Sequence, residues 1–290
     1  MKILVTADLH YEIPRSRRPA AKLIRRICRE GGDAVVLVGD TGGAKLEPLA
    51  EALDLFADFT GLKLMIPGNH CLWCAGQESS MDRYESILPE LAAEYGFVLL
   101  DHNPNLLGDV ALVGSVGWYD YSFADQSLGI PTDFYRAKIA PGAAAHLGGY
   151  DDLLAKHTGK IPAEAFELRS RWMDGRYVRL PMSDEKFCGF LADRLAAQLA
   201  EMSGKAKRIV AFLHHLPFRE LVPESKNERI AFAAAYLGSP LFGKVLMNCP
   251  KVTHVFCGHS HWHGVHQIGH MKVVNVGSTY SDKRLEILQL

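Results

Sequence analysis

Apolar and polar positions follow two alternating periods over the first hundred residues. Short, almost continuous apolar runs are typical of buried strands, and four occur here: KILVTAD, DAVVLVGD, LKLMIPGNH and FVLLD. Between them, apolar side chains recur at helical spacing in AAKLIRRICREGG, EPLAEALDLFADF and MDRYESILPELAAEYG, where Pro89 is expected to break or kink the helix. This alternation predicts a parallel sheet with helices packed on its faces.

The last hundred or so residues first show the same alternation of helices and strands and then depart from it. Helical spacing returns in FCGFLADRLAAQLAEMSG and SPLFGKVLMNCP, and strand-like runs return in RIVAFLHH and VTHVFCGHSH. From His263 onward, short apolar runs with small breaks favour an antiparallel meander. The whole pattern predicts an α/β fold in which two mixed β-sheets form a sandwich flanked by helices.

Residues 117–181 interrupt this pattern with a stretch rich in glycine, proline and aromatic residues. An irregular segment of this length inside a compact domain is usually functional or disordered, and the aromatic content argues against disorder. We therefore predict a single domain over residues 1–290. Residues 117–181 would form an ordered insertion that covers one face and is not an independent domain.

Composition narrows the possible partners. The net charge is −1 with 22% charged residues, so no basic surface indicates nucleic acid as a partner. No segment approaches the length of a membrane span, and the apolar start of the chain stops at Asp8, too early for a signal peptide. The six cysteines are sparse, which favours a reduced, cytoplasmic protein. The oligomeric state is left open.

Five of the predicted strands are followed by residues of types that commonly coordinate metals. They are Asp8 and His10 after the first strand, Asp40 after the second, Asn69 and His70 after the third, His214 and His215 after a later strand, and His259 and His261 after the last. Carboxyl ends of parallel strands share one rim of a sheet, where ligands bind. Carboxylate, amide and imidazole donors suit Mn, Fe, Zn or Ni, and there are enough of them for two ions that share a carboxylate.

The order D-x-H, G-D, G-N-H, H and G-H-x-H resembles the calcineurin-like metallophosphoesterase family, and the resemblance extends from Asp8 to His261. It implies two divalent or mixed-valence transition metal ions. The implied ligands of the first ion are Asp8, His10, Asp40 and His261, and those of the second are Asp40, which bridges, with Asn69, His214 and His259. His70 is implied as the residue that contacts the phosphate and protonates the leaving group.

Two positions depart from the family pattern. The residue after G-N-H is commonly acidic in the family, but here it is Cys71, which removes an acceptor that would orient His70. The fourth motif is HHLPF, and alternation along RIVAFLHH does not decide between His214 and His215. The resemblance favours His214 as the ligand and leaves His215 as a substrate contact.

These residues together predict a metal-dependent hydrolase of a small phosphomonoester or phosphodiester, acting by in-line attack of metal-bound hydroxide. The insertion supplies candidate substrate contacts in Trp118, Tyr119 and Arg136, although the aromatic pair is also compatible with a local core. The alternatives are a nuclease of the same family and a scaffold that binds metal but catalyses weakly. The C-x-x-C formed by Cys71 and Cys74 raises a redox or zinc hypothesis, which a loop position and the lack of a second C-x-x-C disfavour.

Overall fold

A computed structural model describes all residues from 1 to 290. Its strands are β1 (Lys2–Thr6), β2 (Ala34–Val38), β3 (Leu62–Ile66), β4 (Phe97–Leu99), β5 (Asn105–Leu107), β6 (Val110–Ser115), β7 (Arg208–Leu213), β8 (Val252–Cys257), β9 (Gly264–Ile268), β10 (Met271–Asn275) and β11 (Glu286–Gln289). Its α-helices are α1 (Pro14–Glu30), α2 (Glu47–Asp54), α3 (Ser80–Asp82), α4 (Leu88–Glu94), α5 (Thr132–Arg136), α6 (Pro141–Leu147), α7 (Asp151–Lys156), α8 (Asp174–Tyr177), α9 (Asp184–Ser203), α10 (Glu228–Ala233) and α11 (Pro240–Met247). Short 3₁₀ turns and one π-helical turn complete the chain.

The strands form two mixed sheets, as the sequence predicts. The first has the order β11-β1-β2-β3-β4, in which β1 to β4 are parallel and β11 is antiparallel. The second has the order β5-β6-β7-β8-β10-β9, in which the four central strands are parallel and the two edge strands are antiparallel. The two-sheet α/β fold is therefore confirmed.

The predicted C-terminal meander is wrong in part. Strands β9 and β10 do form an antiparallel hairpin, but β10 then pairs in parallel with β8. The last strand, β11, leaves this sheet and joins β1 in the other. Its apolar Leu288 packs in the layer between the sheets, so the crossover buries this side chain.

The layer between the sheets follows from side-chain alternation along the strands. In β2, Ala34, Val36 and Val38 face the other sheet, where they pack with Phe212 and Phe256. Val35 and Leu37 point to the opposite face and join the larger cluster beneath the helices. Because both faces of the central strands are buried, these strands are apolar throughout, as expected for parallel sheets.

Two predicted helices differ at their ends. Helix α1 begins at Pro14, six residues before the apolar pattern indicates, with proline at its first position, where no backbone N–H is needed. The helix that contains Pro89 is not broken. A π-helical turn, Arg83–Ile87, precedes it, and this wider turn relieves the clash between the proline ring and the preceding carbonyl groups.

The segment 117–181 is ordered and consists of short helices and turns. Its side chains, among them Phe134 and Ile139, belong to the same hydrophobic cluster that covers the sheets. Its last helix, α8, brings a buried acid, Asp174, to the carboxyl end of the first sheet. No helix of this structure is long and apolar enough to cross a membrane.

A second buried acid, Asp101, lies just beyond β4. Its Oδ1 accepts hydrogen bonds from the Val116 amide (2.6 Å) and the Tyr84 hydroxyl (3.1 Å), but its Oδ2 has no partner. Burial raises the pKa of this carboxyl to about 7. A proton on the unpartnered oxygen removes a buried charge, so the folded state favours the protonated form.

We expect Asp101→Asn to reveal this proton as a pH-dependent difference in the free energy of unfolding. Because the pKa of Asp101 in the folded state exceeds that of an exposed aspartate, its proton stabilises the wild-type fold fully below about pH 4, and this contribution is lost as pH rises to about 7. The variant has no such proton to lose. Its free energy of unfolding, relative to that of wild type, should therefore increase by roughly 2–4 kcal/mol between pH 4 and 7.5, at about 1.4 kcal/mol per pKa unit. Urea unfolding at several pH values measures it, with the exposed Asp193→Asn as control. A constant difference would contradict the expectation.

Candidate metal centre

The carboxyl ends of five strands, three from the first sheet and two from the second, meet at one rim. Backbone hydrogen bonds join the loops that follow them, from the His10 amide to the Asp40 carbonyl (2.7 Å) and from the Gly258 amide to the His214 carbonyl (3.1 Å). Seven non-glycine residues have positive φ, and five of them lie at this rim: Asp8, His10, Asp40, His259 and His261. Such conformations are costly outside glycine and concentrate at functional sites.

The first donor group consists of Asp8, His10 and His261, whose ligand-type atoms all lie within 4.8 Å of one another. The Nε2 atoms of His10 and His261 are 3.2 Å apart, and Nε2 of His261 is 3.9 Å from Oδ1 of Asp8. Two imidazole nitrogens at this separation share one proton or one cation between them, because two N–H groups would repel.

The second donor group consists of Asp40, His214 and His259, again within 4.8 Å of one another. Asn69 adds an amide oxygen, 3.3 Å from Nε2 of His214. Asp40 lies between the two groups, since its Oδ2 is 3.6 Å from Nε2 of His10 and 3.4 Å from Nε2 of His214. A carboxylate in this position can bridge two cations.

The donor set and its packing both fit two metal ions. Oxygen and imidazole donors are mixed in each group, as transition metals prefer. The backbone also makes room for them: a Cβ on Gly39 would collide with the His214 ring, and a Cβ on Gly68 would collide with the Asp40 carboxylate. Glycine is therefore required wherever the chain passes directly beneath these side chains.

The two adjacent histidines that follow β7 are distinguished by their second nitrogen. His214 places Nδ1 3.1 Å from the Val38 carbonyl, which leaves Nε2 directed at Asp40 and Asn69. His215 places Nδ1 3.0 Å from the Val116 carbonyl, and its Nε2 is buried without a partner. Nε2 of His214 therefore points into the second donor group, whereas His215, which is as deeply buried, does not line the cleft above the donor groups.

The pKa shifts of Asp40, His214 and His259 are consistent with the close approach of these three side chains. Burial alone would raise the pKa of the Asp40 carboxyl, but the charges of His214 and His70 outweigh it, and the pKa lies well below its usual range. Burial opposes the charge of His214, yet Asp40 raises its pKa to about 9. Burial, together with neighbouring His215, lowers the pKa of His259 well below its usual range, so this imidazole is neutral. A cation at this group would displace the proton of His214, which would leave both imidazoles neutral beside the Asp40 carboxylate.

His70 lies at the edge of the site with one ring nitrogen held. Its Nδ1 is 3.1 Å from Oε1 of Glu12, and the same oxygen is 3.1 Å from Nδ1 of His10. Its backbone amide donates to Oδ1 of Asp40 (2.9 Å), and its ring stacks on Trp73 at 3.6 Å. Glu12 thus supplies the acceptor that Cys71 does not. Sequence reasoning missed Glu12, although it follows His10 by two residues.

The two cysteines of the C-x-x-C are buried free thiols. Burial raises the pKa of the Cys71 thiol to about 11, and its Sγ contacts the Gly42 carbonyl at 3.7 Å. The Cys74 thiol contacts the Leu72 carbonyl and the Ser80 hydroxyl, each at 3.5 Å. Neither sulfur belongs to a metal-binding group, so the geometry supports neither a zinc nor a redox role.

A cleft of about 520 Å³ opens over the donor groups. Its floor contains Asp40, Asn69, His70, His259 and His261. Its walls come from other parts of the chain, chiefly Trp73, Arg171, Trp172, Met173, Arg229, Ile230, Trp262 and Tyr280. Trp262 is 59% exposed at the mouth, so much of one wall is apolar and open to a ligand.

The proposed substrate contacts of the insertion do not reach this cleft. Trp118 and Tyr119 are completely buried and donate hydrogen bonds to Asp184 (2.8 Å) and Asp174 (2.9 Å), respectively. They form the local core that was the alternative interpretation of these aromatics. Arg136 lies on another surface, where Glu185 holds its Nε at 2.7 Å.

Gly68→Ala is expected to displace the Asp40 carboxylate, because the new Cβ would overlap it. We predict that the purified variant retains fewer than half of the wild-type metal ions while still folding, as measured by elemental analysis and circular dichroism. Gly189→Ala is the matched control. Gly189 lies in α9 with no atom near an added Cβ, so that change should leave metal content intact and stabilise the helix by about 0.5–1 kcal/mol. Full metal content in Gly68→Ala would refute the prediction.

Comparison with known proteins adds a family and a fold. A family model described as calcineurin-like phosphoesterase matches residues 1–263. No curated protein matches the sequence significantly. Among solved structures, the phosphopantetheinyl hydrolase of Mycobacterium tuberculosis is similar over 98% of this chain and 95% of its own, with a TM-score of 0.67 and 17% identity. The protein TT1561 of Thermus thermophilus is similar over 99% of this chain and 98% of its own, with a TM-score of 0.53 and 14% identity.

Proposed function

The chain belongs to the calcineurin-like phosphoesterase family, and from this premise we propose that it hydrolyses a small phosphoester with two transition metal ions. The first ion would be held by Asp8, His10, Asp40 and His261. The second would be held by Asp40, Asn69, His214 and His259. Manganese, iron, zinc and nickel all suit these donors.

The observation that carries this proposal is the position of Asp40. Its Oδ2 lies 3.6 Å from Nε2 of His10 in one donor group and 3.4 Å from Nε2 of His214 in the other. A single buried carboxylate between two groups of imidazoles is the arrangement that a pair of cations needs. When bound, two such ions polarise the ester oxygens and make a nucleophile available at neutral pH.

The protein's own part in the chemistry falls to His70. Because Glu12 holds its Nδ1, a proton on Nε2 is free to pass to the oxygen that leaves the phosphorus. Burial opposes the charged form of His70, but in the metal-free protein the charges of Asp40 and Glu12 outweigh it and raise its pKa. The hydrogen bond to Glu12 favours the protonated ring, and stacking on Trp73 fixes its plane.

The cleft favours a small ester over nucleic acid. Its walls present apolar side chains, including Met173 (40% exposed) and Ile230 (38% exposed), at the mouth above the metals. Arg171 and Arg229 also line the cleft and are exposed, so both can meet an anionic group. The net charge of −1 gives no general attraction for a polynucleotide backbone.

The test is a metal and substrate panel. The protein is purified with added Mn²⁺, bound metal is counted, and hydrolysis of p-nitrophenyl phosphate is compared with that of its bis-ester, cyclic nucleotides and a single-stranded oligonucleotide. A phosphopantetheine ester joins the panel because the similar Mycobacterium tuberculosis protein is a phosphopantetheinyl hydrolase. We expect two ions per chain and turnover of small esters. Two bound ions without turnover of any ester would favour a metal-binding scaffold, and preference for the oligonucleotide would favour a nuclease.

A further inference from the structure

The insertion contributes one buried side chain that contacts a proposed metal ligand. Asp174, in α8, is 1% exposed, yet its carboxylate accepts four hydrogen bonds. Asn69 Nδ2 (2.8 Å) and Trp73 Nε1 (2.7 Å) donate to Oδ1, and Tyr119 Oη (2.9 Å) and Trp172 Nε1 (2.7 Å) donate to Oδ2. Four donors compensate the burial of this charge without any cationic partner.

We propose that Asp174 is a positioning residue for the second metal ion, acting by fixing which end of the Asn69 amide faces the site. The proposal rests on the proposed function only in that Asn69 is taken as a metal ligand. Nothing in the sequence pattern marks this acid, because it lies about a hundred residues from Asn69 in an irregular segment.

The amide group of an asparagine has a donor end and an acceptor end of nearly the same shape. A carboxylate only accepts, so Asp174 can pair only with the Nδ2 end of Asn69. The Oδ1 end is then turned toward Nε2 of His214, at 3.3 Å, where the second donor group converges. The opposite orientation would present N–H to a cation and leave Asp174 facing an oxygen.

The same carboxylate links the metal centre to two walls of the cleft. Trp73, held at Oδ1, stacks beneath His70 at 3.6 Å. Trp172, held at Oδ2, has its ring centroid 5.8 Å from that of His259 in an edge-on arrangement. Asp174 therefore holds three side chains in position: Asn69, Trp73 beneath His70, and Trp172 beside His259.

The test is Mn²⁺ binding by wild type and Asp174→Asn, measured by calorimetric titration of the metal-free full chain. Unlike a carboxylate, the substituted amide can turn either its oxygen or its N–H group toward Asn69, so it no longer selects the Nδ2 end of that side chain. We expect one of the two Mn²⁺ sites to weaken by about 10–100-fold while the other is unchanged. We also expect no further weakening when Asn69→Ala is added, because both changes remove the same ligand.

Asp184→Asn is the matched control. Asp184 is also buried and also accepts from a tryptophan and a tyrosine, Trp118 (2.8 Å) and Tyr121 (2.5 Å). It differs from Asp174 in pairing with Lys138 (2.5 Å) and in contacting no side chain of the two donor groups. It should lower the melting temperature as Asp174→Asn does and leave both Mn²⁺ affinities intact. Equal weakening by both variants, or none by Asp174→Asn, would overturn the proposal.

An exchange of the two side chains gives a second test, which compares two variants that both carry Asn69→Asp. In the double variant Asn69→Asp, Asp174→Asn, the donor and the acceptor exchange places, and we expect the weakened site to recover relative to Asn69→Asp alone, which sets two carboxylates together. Failure of the swap to recover it would count against the proposal. The wild-type substrate panel decides the proposed function separately, since these titrations require no turnover.

Discussion

Asp40→Asn is expected to abolish binding of both metal ions and, with it, hydrolysis. The carboxylate lies within 3.6 Å of a ligand nitrogen in each donor group, and the substituted amide can neither bridge two cations nor balance their charge. Lewis-acid stabilisation is worth several kcal/mol, so we expect the rate on p-nitrophenyl phosphate to fall by at least about 10³-fold. Elemental analysis and steady-state kinetics measure the two effects.

Asp8→Asn gives the graded comparison. Asp8 approaches His261 of the first group, at 3.9 Å, and belongs to no group that contains His214. It should therefore cost one metal ion, not two. Circular dichroism of both variants establishes that they fold. Retention of two ions by Asp40→Asn, or loss of two by Asp8→Asn, would mean that Asp40 does not bridge.

His70→Ala is expected to slow hydrolysis according to the leaving group while leaving both metal ions bound. Its Nδ1 is occupied by Glu12 and its backbone amide by Asp40, so only Nε2 is left for the substrate. An alkyl phosphate needs a proton on its departing oxygen, and we expect a loss of about 10²–10⁴-fold. A p-nitrophenolate leaves without help and should lose less than about 10-fold.

Parallel kinetics on a phenyl and an alkyl ester series separate this role from a structural one. A structural defect would slow every ester alike, whereas loss of a proton donor steepens the dependence of rate on leaving-group pKa. His266→Ala is a suitable control, because His266 lies on β9 outside both metal-binding groups. Equal losses on good and poor leaving groups would exclude the proton-donor role.

The expected substrate contacts of the insertion failed for a common reason. Trp118 and Tyr119 follow a strand end, as the ligands do, but their rings turn into the core and meet Asp184 and Asp174. Arg136 is far from the cleft because a short helix of the insertion directs it toward Glu185. In an irregular segment no period fixes the direction of a side chain, so proximity in sequence to a strand end does not place it.

Glu12 and Asp174 are residues near the site that the sequence did not predict. Each acts through a hydrogen bond to a functional side chain rather than through a motif. Glu12 lies in the loop after β1, two residues beyond His10, and Asp174 lies in α8. Their partners His70 and Asn69 are 58 and 105 residues away along the chain, respectively. Such acceptors have no characteristic spacing, because many loop geometries can deliver a carboxylate to the same place.

The sequence alone determined the two-sheet α/β fold and the family, because apolar periodicity reports which faces are buried and parallel strands must end at a common rim. It also predicted which residues between Asp8 and His261 lie at this rim as candidate metal ligands. Only the tertiary structure decided how they are oriented: which nitrogen of His214 is free, which end of Asn69 faces the site, and which acid holds His70. Orientation depends on hydrogen-bond partners distant in the chain, and folding alone brings those partners together.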